Sequence, residues 1–418
     1  MDSPPAPTSV AETGLDLGVL SDLALKAVYF AGNISGNELS ERLGLSVHVM
    51  TEVLAFLRRE RLCEVTGGNG LSIAGLNYSL TASGSDRAVT AMATGGYIGV
   101  APVPLKDYLE AVRRQSVQNV ELDKERIEGA LSKLILTKRT MDLLGQAISA
   151  KRAVLIYGES GNGKSTAADC LREAVSGEIL IPYAVEVMHQ IIQIFDASTH
   201  EAVEPTPAVG EGSGPLVDRR WVRIRRPLVF AAGELASSHL ELVLDDVYKT
   251  YEAPIQMKAN GGVLVIDDFG RQHLDAAYLL NRWIVPLEKG IDNLSLQNGA
   301  RFQAPFDVIP IFVTNRHPAE LADEAFLRRI RYKVEIPPPT PQLFLEILKR
   351  ECGDNDVDYD EAAANYLLEH HFAKTNRRMR GCHPRDIVEA IVASSAYQGT
   401  ERALTVETID DACANYFA

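Results

Sequence analysis

A nine-residue loop between an apolar run and a helix-like segment constrains the fold of this chain more than any other feature. Residues 153–157 are typical of a buried strand, residues 158–166 read GESGNGKST, and the following helix-like segment ends near Gly177. The pattern GxxxxGK followed by Ser or Thr, in this strand, loop and helix context, is that of a phosphate-binding loop. The glycines let successive backbone N–H groups face phosphate oxygens, and the helix N-terminus adds a positive dipole end.

Two side chains of this loop have specific expected roles. Lys164 is expected to reach the β and γ phosphates of a nucleotide, and Ser165 to ligate Mg²⁺. We therefore predict that nine residues bind nucleotide: Gly158, Glu159, Ser160, Gly161, Asn162, Gly163, Lys164, Ser165 and Thr166.

A second apolar run ends in two carboxylates. Residues 262–266 predict a buried strand, which Asp267 and Asp268 follow directly. Ligands bind at the carboxyl ends of strands in open α/β sheets, so both side chains are expected beside the phosphate loop. Asp267 would hold Mg²⁺ through water, and Asp268 would orient or deprotonate the attacking water.

Charge and cysteine content limit the function classes. The 418 residues include 42 Lys and Arg against 56 Asp and Glu, which gives a net charge of -14 and disfavours a protein that coats nucleic acid. No apolar run approaches the length of a membrane span. The cysteines are scattered and never spaced as CxxC, which argues against disulfides and zinc and predicts a reducing, cytoplasmic location. They are Cys63, Cys170, Cys352, Cys382 and Cys413.

The N-terminal region predicts a small domain of its own. Residues 1–14 are rich in Pro, Ala, Ser and Thr and are interpreted as disordered. Over 15–94, helical patterns precede two strand-like runs, and Ser35 with Glu38 predicts a capping box at the second helix. This order resembles a winged-helix domain. Residues 95–105, with Gly-Gly and two prolines, are the expected linker.

The third helix of that domain would enter the major groove of DNA in a nucleic-acid-binding version. It carries Arg58, Arg59 and Arg61, together with His48 and Thr51. Residues 1–100 nevertheless hold six basic and ten acidic side chains, the opposite of a phosphate-binding balance. Docking of a protein is favoured, and DNA binding stays open as the alternative.

The phosphate loop and the paired carboxylates together resemble those of AAA+ ATPases, in which the second motif is usually Asp-Glu. The loop with its asparagine and the Phe-Leu-Arg-Arg string at 326–329 resemble MoxR-like and related bacterial chaperone-type members. The resemblance implies an α/β fold, with a three-layer αβα P-loop core over 106–339 and a helical lid over 340–418. It also implies ATP and Mg²⁺ as cofactors, hydrolysis to ADP and phosphate, and a homo-oligomeric ring, expected to be a hexamer.

The resemblance assigns roles to four further residues. Asn315, after a strand-like run, matches the family's first sensor of the γ-phosphate or attacking water. Arg328 matches the arginine finger that reaches a neighbouring subunit's nucleotide, with Arg329 as second choice. Arg385, just after Pro384 at a helix start, matches the second sensor on the lid. His383 beside Cys382 is interpreted as part of that helix start and not as a metal site.

Three further features are distinctive but are given no catalytic role. Residues 218–227 hold five arginines and Trp221, and predict either a hairpin that grips substrate or nucleic acid, or a patch that pairs with an acidic neighbouring subunit. Residues 201–215, rich in Pro and Gly, predict a flexible surface insertion. Arg271, after the carboxylate pair, is a candidate contact to the next subunit.

The sequence as a whole predicts an oligomeric ATPase that remodels a protein client, which the N-terminal domain recruits directly or through an adaptor. One alternative is a DNA-binding ATPase linked to replication initiation or transcription. Another is a scaffold that binds ATP to assemble but turns over little, because Asp268 is one methylene shorter than the usual glutamate. No membrane partner is expected.

Overall fold

The computed structural model describes residues 4–68, 72–203, 217–271, 274–321 and 327–417. Up to residue 94 it forms helices packed on a three-stranded antiparallel sheet. These elements are α1 (Val10–Thr13), α2 (Leu17–Ala31), β1 (Ile34–Ser35), α3 (Gly36–Leu43), α4 (Val47–Arg59), β2 (Cys63–Gly68), β3 (Leu76–Leu80) and α5 (Ala82–Thr94).

From residue 103 to residue 335 strands alternate with helices. The strands are β4 (Val103–Pro104), β5 (Val154–Tyr157), β6 (Glu178–Pro182), β7 (Ala184–Val187), β8 (Gln190–Gln193), β9 (Trp221–Arg225), β10 (Leu228–Ala231), β11 (Val243–Asp245), β12 (Thr250–Glu252), β13 (Val263–Ile266), β14 (Ile291–Ser295), β15 (Arg301–Pro305), β16 (Ile309–Thr314) and β17 (Tyr332–Glu335). The helices are α6 (Leu105–Arg114), α7 (Lys124–Leu131), α8 (Lys138–Ser149), α9 (Lys164–Ala174), α10 (Ile255–Lys258), α11 (Ala276–Arg282), α12 (Ile284–Lys289) and α13 (Pro318–Leu321).

The chain beyond residue 340 is helical. Its elements pack around one apolar core that includes Phe344, Leu367 and Ile387. They are α14 (Pro341–Asp354), α15 (Glu361–Tyr366), a π-helical segment (Leu367–Ala373), α16 (His383–Gln398) and α17 (Val406–Tyr416). Within the described residues we find no helix with the length and apolar character that a membrane crossing needs.

The N-terminal helices and hairpin follow the predicted order. Ser35 and Glu38 form the predicted capping box: the Ser35 Oγ accepts from the Glu38 N–H at 3.2 Å, and the Glu38 Oε2 accepts from the Ser35 N–H at 3.0 Å. One face of α4 is fully buried, whereas His48, Arg58 and Arg59 are exposed. The buried residues of α4 are Val49, Met50, Val53, Leu54 and Leu57.

The structure differs from the prediction of a disordered start at residues 1–14. From residue 4 onward this segment packs on the rest of the chain: the Asp218 N–H donates to the Pro4 carbonyl at 2.8 Å, and the Ser46 Oγ donates to the Pro7 carbonyl. Residues 10–13 form α1, which Ser9 caps. The Pro, Ala, Ser and Thr content of residues 1–14 suggested disorder. Composition carries no information about contacts with distant backbone groups, so it could not predict this packing.

The predicted linker at 95–105 is also packed. Its strand β4 pairs in parallel with β7, the Gly96 N–H donates to the Tyr248 carbonyl at 2.7 Å, and the Ala101 N–H donates to the Leu43 carbonyl at 2.8 Å. Ala101 and Val103 are fully buried. Gly and Pro marked a break between domains, but the apolar residues between them attach this segment to a sheet.

The central sheet has five parallel strands in the order β10, β13, β16, β5, β17. Successive side chains point to opposite faces of a strand. On β5, Val154 and Ile156 therefore pack with α7, α8 and α9, whereas Leu155 packs with α11 on the other face. The result is the predicted three-layer αβα P-loop core with a helical lid, an α/β fold.

A second β unit stands beside this core and was missed in the sequence. A five-stranded sheet in the order β11, β12, β8, β7, β4 and two antiparallel strand pairs, β6 with β9 and the hairpin of β14 with β15, enclose an apolar core of their own. Trp221, Ile224 and Tyr251 belong to that core. Its strands are three to five residues long apart from the two-residue β4, so each gives little periodicity to detect.

The arginine-rich segment lies in this unit and its charges are largely used within the chain. Arg220 and Asp218 form an ion pair at 2.8 Å, and each side chain is only 4% exposed. Arg223 and Arg225 pair with Glu178 and Glu201 at 3.6 and 3.4 Å. Arg226 donates to the Gln115 carbonyl at 3.0 Å. The predicted hairpin does not form: β9 pairs with the distant β6, and β10 pairs in parallel with β13 in the central sheet. These four arginines contact neighbouring segments of the same chain instead of forming an open basic grip. The insertion predicted at 201–215 lies outside the described residues from 204 onward.

Candidate functional site

The phosphate loop has the backbone geometry that its glycines predict. Gly158, Gly161 and Gly163 have φ of 139°, 82° and 85°, values that side-chain-bearing residues rarely adopt. A Cβ on Gly158 would lie 2.4 Å from the Ile336 carbonyl oxygen, because the loop crosses closely over the end of β17. The loop opens α9, so the helix N-terminus and the loop amides face the same side.

Lys164 is buried at the first position of α9, only 6% exposed. Its Nζ donates to the Glu159 carbonyl at 2.8 Å, and among the described residues it forms no ion pair within 4 Å. Burial lowers the pKa of this ammonium, while the charges of Asp267 and Asp268 act to raise it. The lysine is thus held inside the loop by a single carbonyl, which a phosphate oxygen can replace.

Asp267 and Asp268 follow β13 at the carboxyl edge of the sheet. The Asp268 N–H donates to the Asp267 Oδ1 at 2.8 Å, and Asp268 has a positive φ of 50°. The Asn315 Nδ2 donates to the Asp268 Oδ1 at 3.3 Å, which joins the end of β16 to the end of β13. The Thr314 Oγ1 donates to the Phe269 carbonyl at 2.8 Å and fixes the two strand ends together.

These residues border one cleft of about 590 Å³, which we call the nucleotide cleft. Its lining includes seven loop residues (160–166), together with Asp267, Asp268, Asn315 and the lid arginine Arg385. Apolar side chains form another part of the wall: Leu134, Ile135, Leu136 and Ile347. The structure therefore brings together the predicted loop, carboxylates, first sensor and second sensor.

The lid is attached to the phosphate loop by backbone contacts that the sequence did not reveal. The Cys382 N–H donates to the Gly161 carbonyl at 2.7 Å, and the Gly381 N–H donates to the Asn162 Oδ1 at 3.0 Å. A Cβ on Gly161 would lie 2.7 Å from the Cys382 Sγ. No pattern in the sequence marks Gly381 or Cys382 as a partner of residues more than 200 positions away.

Arg385 and His383 lie at the start of α16. Arg385 is half exposed and forms an ion pair with Asp386 at 2.9 Å, with Glu389 further away at 3.8 Å. His383 is buried among Phe372 and Phe417, and burial lowers its pKa to about 4. Its Nδ1 accepts from the Arg380 N–H at 3.2 Å. The imidazole thus serves the helix start and the lid core.

Arg328 and Arg329 lie away from this cleft, just before β17. Neither is among the described residues that line the nucleotide cleft. Arg328 is exposed, and Arg329 pairs with Glu288 at 2.7 Å. Arg271 is also exposed, beside the carboxylate pair. The trans role predicted for Arg328 or Arg329 requires a neighbouring subunit and stays a prediction.

The residues present suit Mg²⁺. Ser165 and Asp267 both line the nucleotide cleft and offer oxygen ligands, which Mg²⁺ prefers. Among the described residues there is no group of three or more His, Cys, Asp or Glu side chains that could hold a metal ion. A Mg²⁺ ion here would therefore take most of its ligands from water and from nucleotide phosphates.

Comparisons with known proteins give one partial family match. Residues 340–415, which form the lid, match a domain of unknown function (DUF8689). No curated protein matches the chain. NtrX from Brucella abortus in complex with ATP is 14% identical, with a TM-score of 0.41 over 66% of this chain and 56% of that chain. The RuvB Holliday junction branch migration motor of Thermotoga maritima is 13% identical, with a TM-score of 0.38 over 66% of this chain and 68% of that chain.

The FIGL-1 AAA domain is 14% identical, with a TM-score of 0.39 over 74% of this chain and 90% of that chain. By contrast, the present chain spans little more than half of the NtrX chain to which it is similar.

Proposed function

We propose that this chain is an AAA+ ATPase that binds ATP with Mg²⁺ in the nucleotide cleft and hydrolyses it to ADP and phosphate. One observation carries the proposal: Lys164, Asp267 with Asp268, Asn315 and Arg385 come from four separate segments and converge on one cleft. Phosphoryl transfer needs cations at the phosphates, a metal ligand and a group that orients water, and each is present within that cleft.

Each residue would act on a different part of the nucleotide. Lys164 would exchange the Glu159 carbonyl for β- and γ-phosphate oxygens, while Ser165 and Asp267 would hold Mg²⁺. Bound Mg²⁺ would neutralise charge on the phosphates. Asp268, oriented by Asn315, would accept the proton of the attacking water or align it. The apolar wall at 134–136 would receive the base.

The lid would respond to the nucleotide through Arg385. This residue lines the cleft, yet its guanidinium is engaged by Asp386 at the rim. A γ-phosphate offers a competing anion, so ATP would draw Arg385 toward the phosphates and hydrolysis would release it. The lid's backbone contacts to the loop at Gly161 and Asn162 would carry that change to the phosphate loop.

We further propose assembly into a ring, expected to be a hexamer, and the position of Arg328 supports this proposal. Arg328 is exposed and stands outside the cleft of its own chain, as a residue acting on a neighbour's nucleotide would. Hydrolysis would then depend on assembly, and the N-terminal domain would recruit a protein client. The client and the cytoplasmic location are both proposals.

The deciding experiment measures ATP turnover across a concentration series, with the mass of the assembly determined at each point. We expect specific activity to fall steeply on dilution as the assembly dissociates. Arg328→Ala should lose turnover and keep ATP binding, whereas Arg331→Ala, an exposed arginine three positions away, should behave as wild type. Turnover independent of concentration together with an active Arg328→Ala would refute the shared site.

Mixing two inactive variants tests the trans arrangement directly. Lys164→Ala cannot use its own nucleotide but still presents Arg328, and Arg328→Ala binds ATP but lacks the finger. If the site is shared between subunits, the mixture regains turnover that neither variant has alone. A mixture as inactive as its components would place all catalytic groups in one chain. The same experiment with Arg329→Ala identifies which arginine acts.

A specific observation also favours the scaffold alternative, in which ATP drives assembly with little turnover. Asp268 has the shorter side chain and its Oδ1 is already bonded to Asn315, so less of it is available to a water molecule. Asp268→Glu would then raise turnover above that of wild type. If the substitution lowers turnover while assembly persists, the aspartate itself is the working group and the scaffold alternative fails.

A further inference from the structure

A second cleft, of about 740 Å³, lies at the end of the central sheet opposite to the nucleotide cleft. We call it the basal cleft. Ala153 and Val308, which line it, come just before β5 and β16, so it faces the amino ends of these strands. Its other walls come from α6, the end of α12 and the hairpin of β14 with β15. No role proposed above uses it.

The rim of the basal cleft carries cations without acidic partners. Arg113, Arg152 and Lys289 line it and are exposed, and no described residue gives any of their side chains a hydrogen bond or ion pair. The two acids in the lining are already engaged: Glu288 pairs with Arg329 at 2.7 Å, and Asp307 accepts from the Ser116 Oγ at 2.7 Å. The rim therefore has an unbalanced positive charge in a chain whose net charge is -14.

Beneath the rim the cleft is apolar. Phe306 and Val308 are 6% and 5% exposed and form its floor together with the buried Pro286. Leu109 and Leu287 are half-buried on its walls. Cations at the edge and hydrocarbon below form an amphipathic groove, which suits a ligand that alternates carboxylates with apolar side chains.

We propose that the basal cleft binds an acidic peptide segment of a partner protein. Carboxylates of the peptide pair with Arg113, Arg152 and Lys289, and an apolar side chain packs between the half-buried Leu109 and Leu287. Arginine guanidinium groups match carboxylates in two-point geometry, and clusters of them recognise acidic motifs. The proposal goes beyond the ATPase and does not depend on it.

The same cations could contact nucleic acid phosphates, but the cleft fits that ligand less well. Binding of single strands relies on exposed aromatic rings that stack on bases, and Phe306, the one aromatic among the described lining residues, is buried. Nucleic acid is therefore one of the outcomes that the test must separate.

The test uses the full chain and fluorescence anisotropy at low salt. The probe is a fluorescein-labelled dodecapeptide that alternates Glu and Leu, and the comparison peptide has Gln in place of every Glu. A single-stranded DNA dodecamer is titrated in parallel. We expect saturable binding of the Glu peptide, about tenfold weaker binding of the Gln peptide, and a loss of affinity as salt rises.

Three substitutions remove the rim charges while keeping polar side chains: Arg113→Gln, Arg152→Gln and Lys289→Gln. Together they should weaken binding of the Glu peptide at least about tenfold. Arg114→Gln is the matched control, because Arg114 follows Arg113 on α6, is outside the described lining and pairs with Glu110 at 3.9 Å. It should retain wild-type affinity. Unchanged thermal unfolding and ATP binding in the triple variant show that the fold persists.

Three results would overturn the proposal: equal affinity for the Glu and Gln peptides, unchanged affinity in the triple variant, or no saturable binding. If DNA binds more tightly than the Glu peptide and the triple variant loses that binding, the cleft is a nucleic acid site and the peptide proposal is also wrong.

Discussion

Lys164 in the phosphate loop and the arginines of strand β9 are cations that the fold uses in opposite ways. Lys164 stands at the carboxyl edge of a parallel sheet, and within the described part of the chain its Nζ hydrogen-bonds only to the Glu159 carbonyl. Arg223 and Arg225 lie on β9, which pairs in antiparallel with β6, and both form ion pairs with carboxylates. A cation is therefore available for a ligand where no acidic side chain forms an ion pair with it, and the number of cations in the sequence does not show this.

Lys164→Ala should have the largest effect, because no other side chain replaces its contact to the phosphates. We expect ATP turnover to fall by about a thousandfold or more, equivalent to about 4 kcal/mol. The free energy of unfolding should change little, since the lysine makes one hydrogen bond to its own loop. Steady-state phosphate release and chemical denaturation measure the two quantities on the same preparation.

Arg220→Ala should lower the free energy of unfolding and leave the catalytic residues unchanged. Removing one member of a buried ion pair leaves Asp218 charged and unpaired, at a cost of about 3–5 kcal/mol. Arg220 also donates to the carbonyls of Thr13 and Pro102, so the N-terminal segment should loosen first. Denaturation monitored by tryptophan fluorescence measures the loss. The variant Asp218→Leu with Arg220→Met removes both charges and should recover most of it; if it does not, the pair is not the cause.

Asp268→Asn tests whether the Asp268 carboxylate takes a proton from the attacking water. The amide keeps the size and can still contact Asn315, but it cannot take a proton from water. Turnover should fall by about a hundredfold, or about 2.7 kcal/mol, with ATP affinity retained. Single-turnover measurement with radiolabelled ATP separates the chemical step from product release. Wild-type turnover in this variant would move the role of base to another group.

Arg225→Gln should have the smallest effect. The side chains of Arg225 and Glu201 are 67% and 63% exposed, and exposed ion pairs contribute less than about 1 kcal/mol. Both the unfolding free energy and ATP turnover should remain close to wild type. A clear loss of client binding in this variant would restore a recognition role to β9 and would weaken the contrast between Lys164 and the arginines of β9.

The sequence predicted the parts of the molecule in which local pattern and structure coincide. The loop at 158–166, the strand ending at Asp267 and the helix starting near Pro384 each carry their own signal within a few residues. Contacts between distant segments carry none: β4 with β7, Gly381 with Asn162, and Arg220 with the Thr13 carbonyl. Short strands of the second β unit gave too few residues for alternation to appear.

The attachment of β4 to β7 has a mechanical consequence. A domain on a free linker tumbles separately from the rest of a chain, but here the connecting residues are a strand of the second β unit. We therefore expect the N-terminal domain to turn together with that unit. The two would then report a single rotational correlation time in solution.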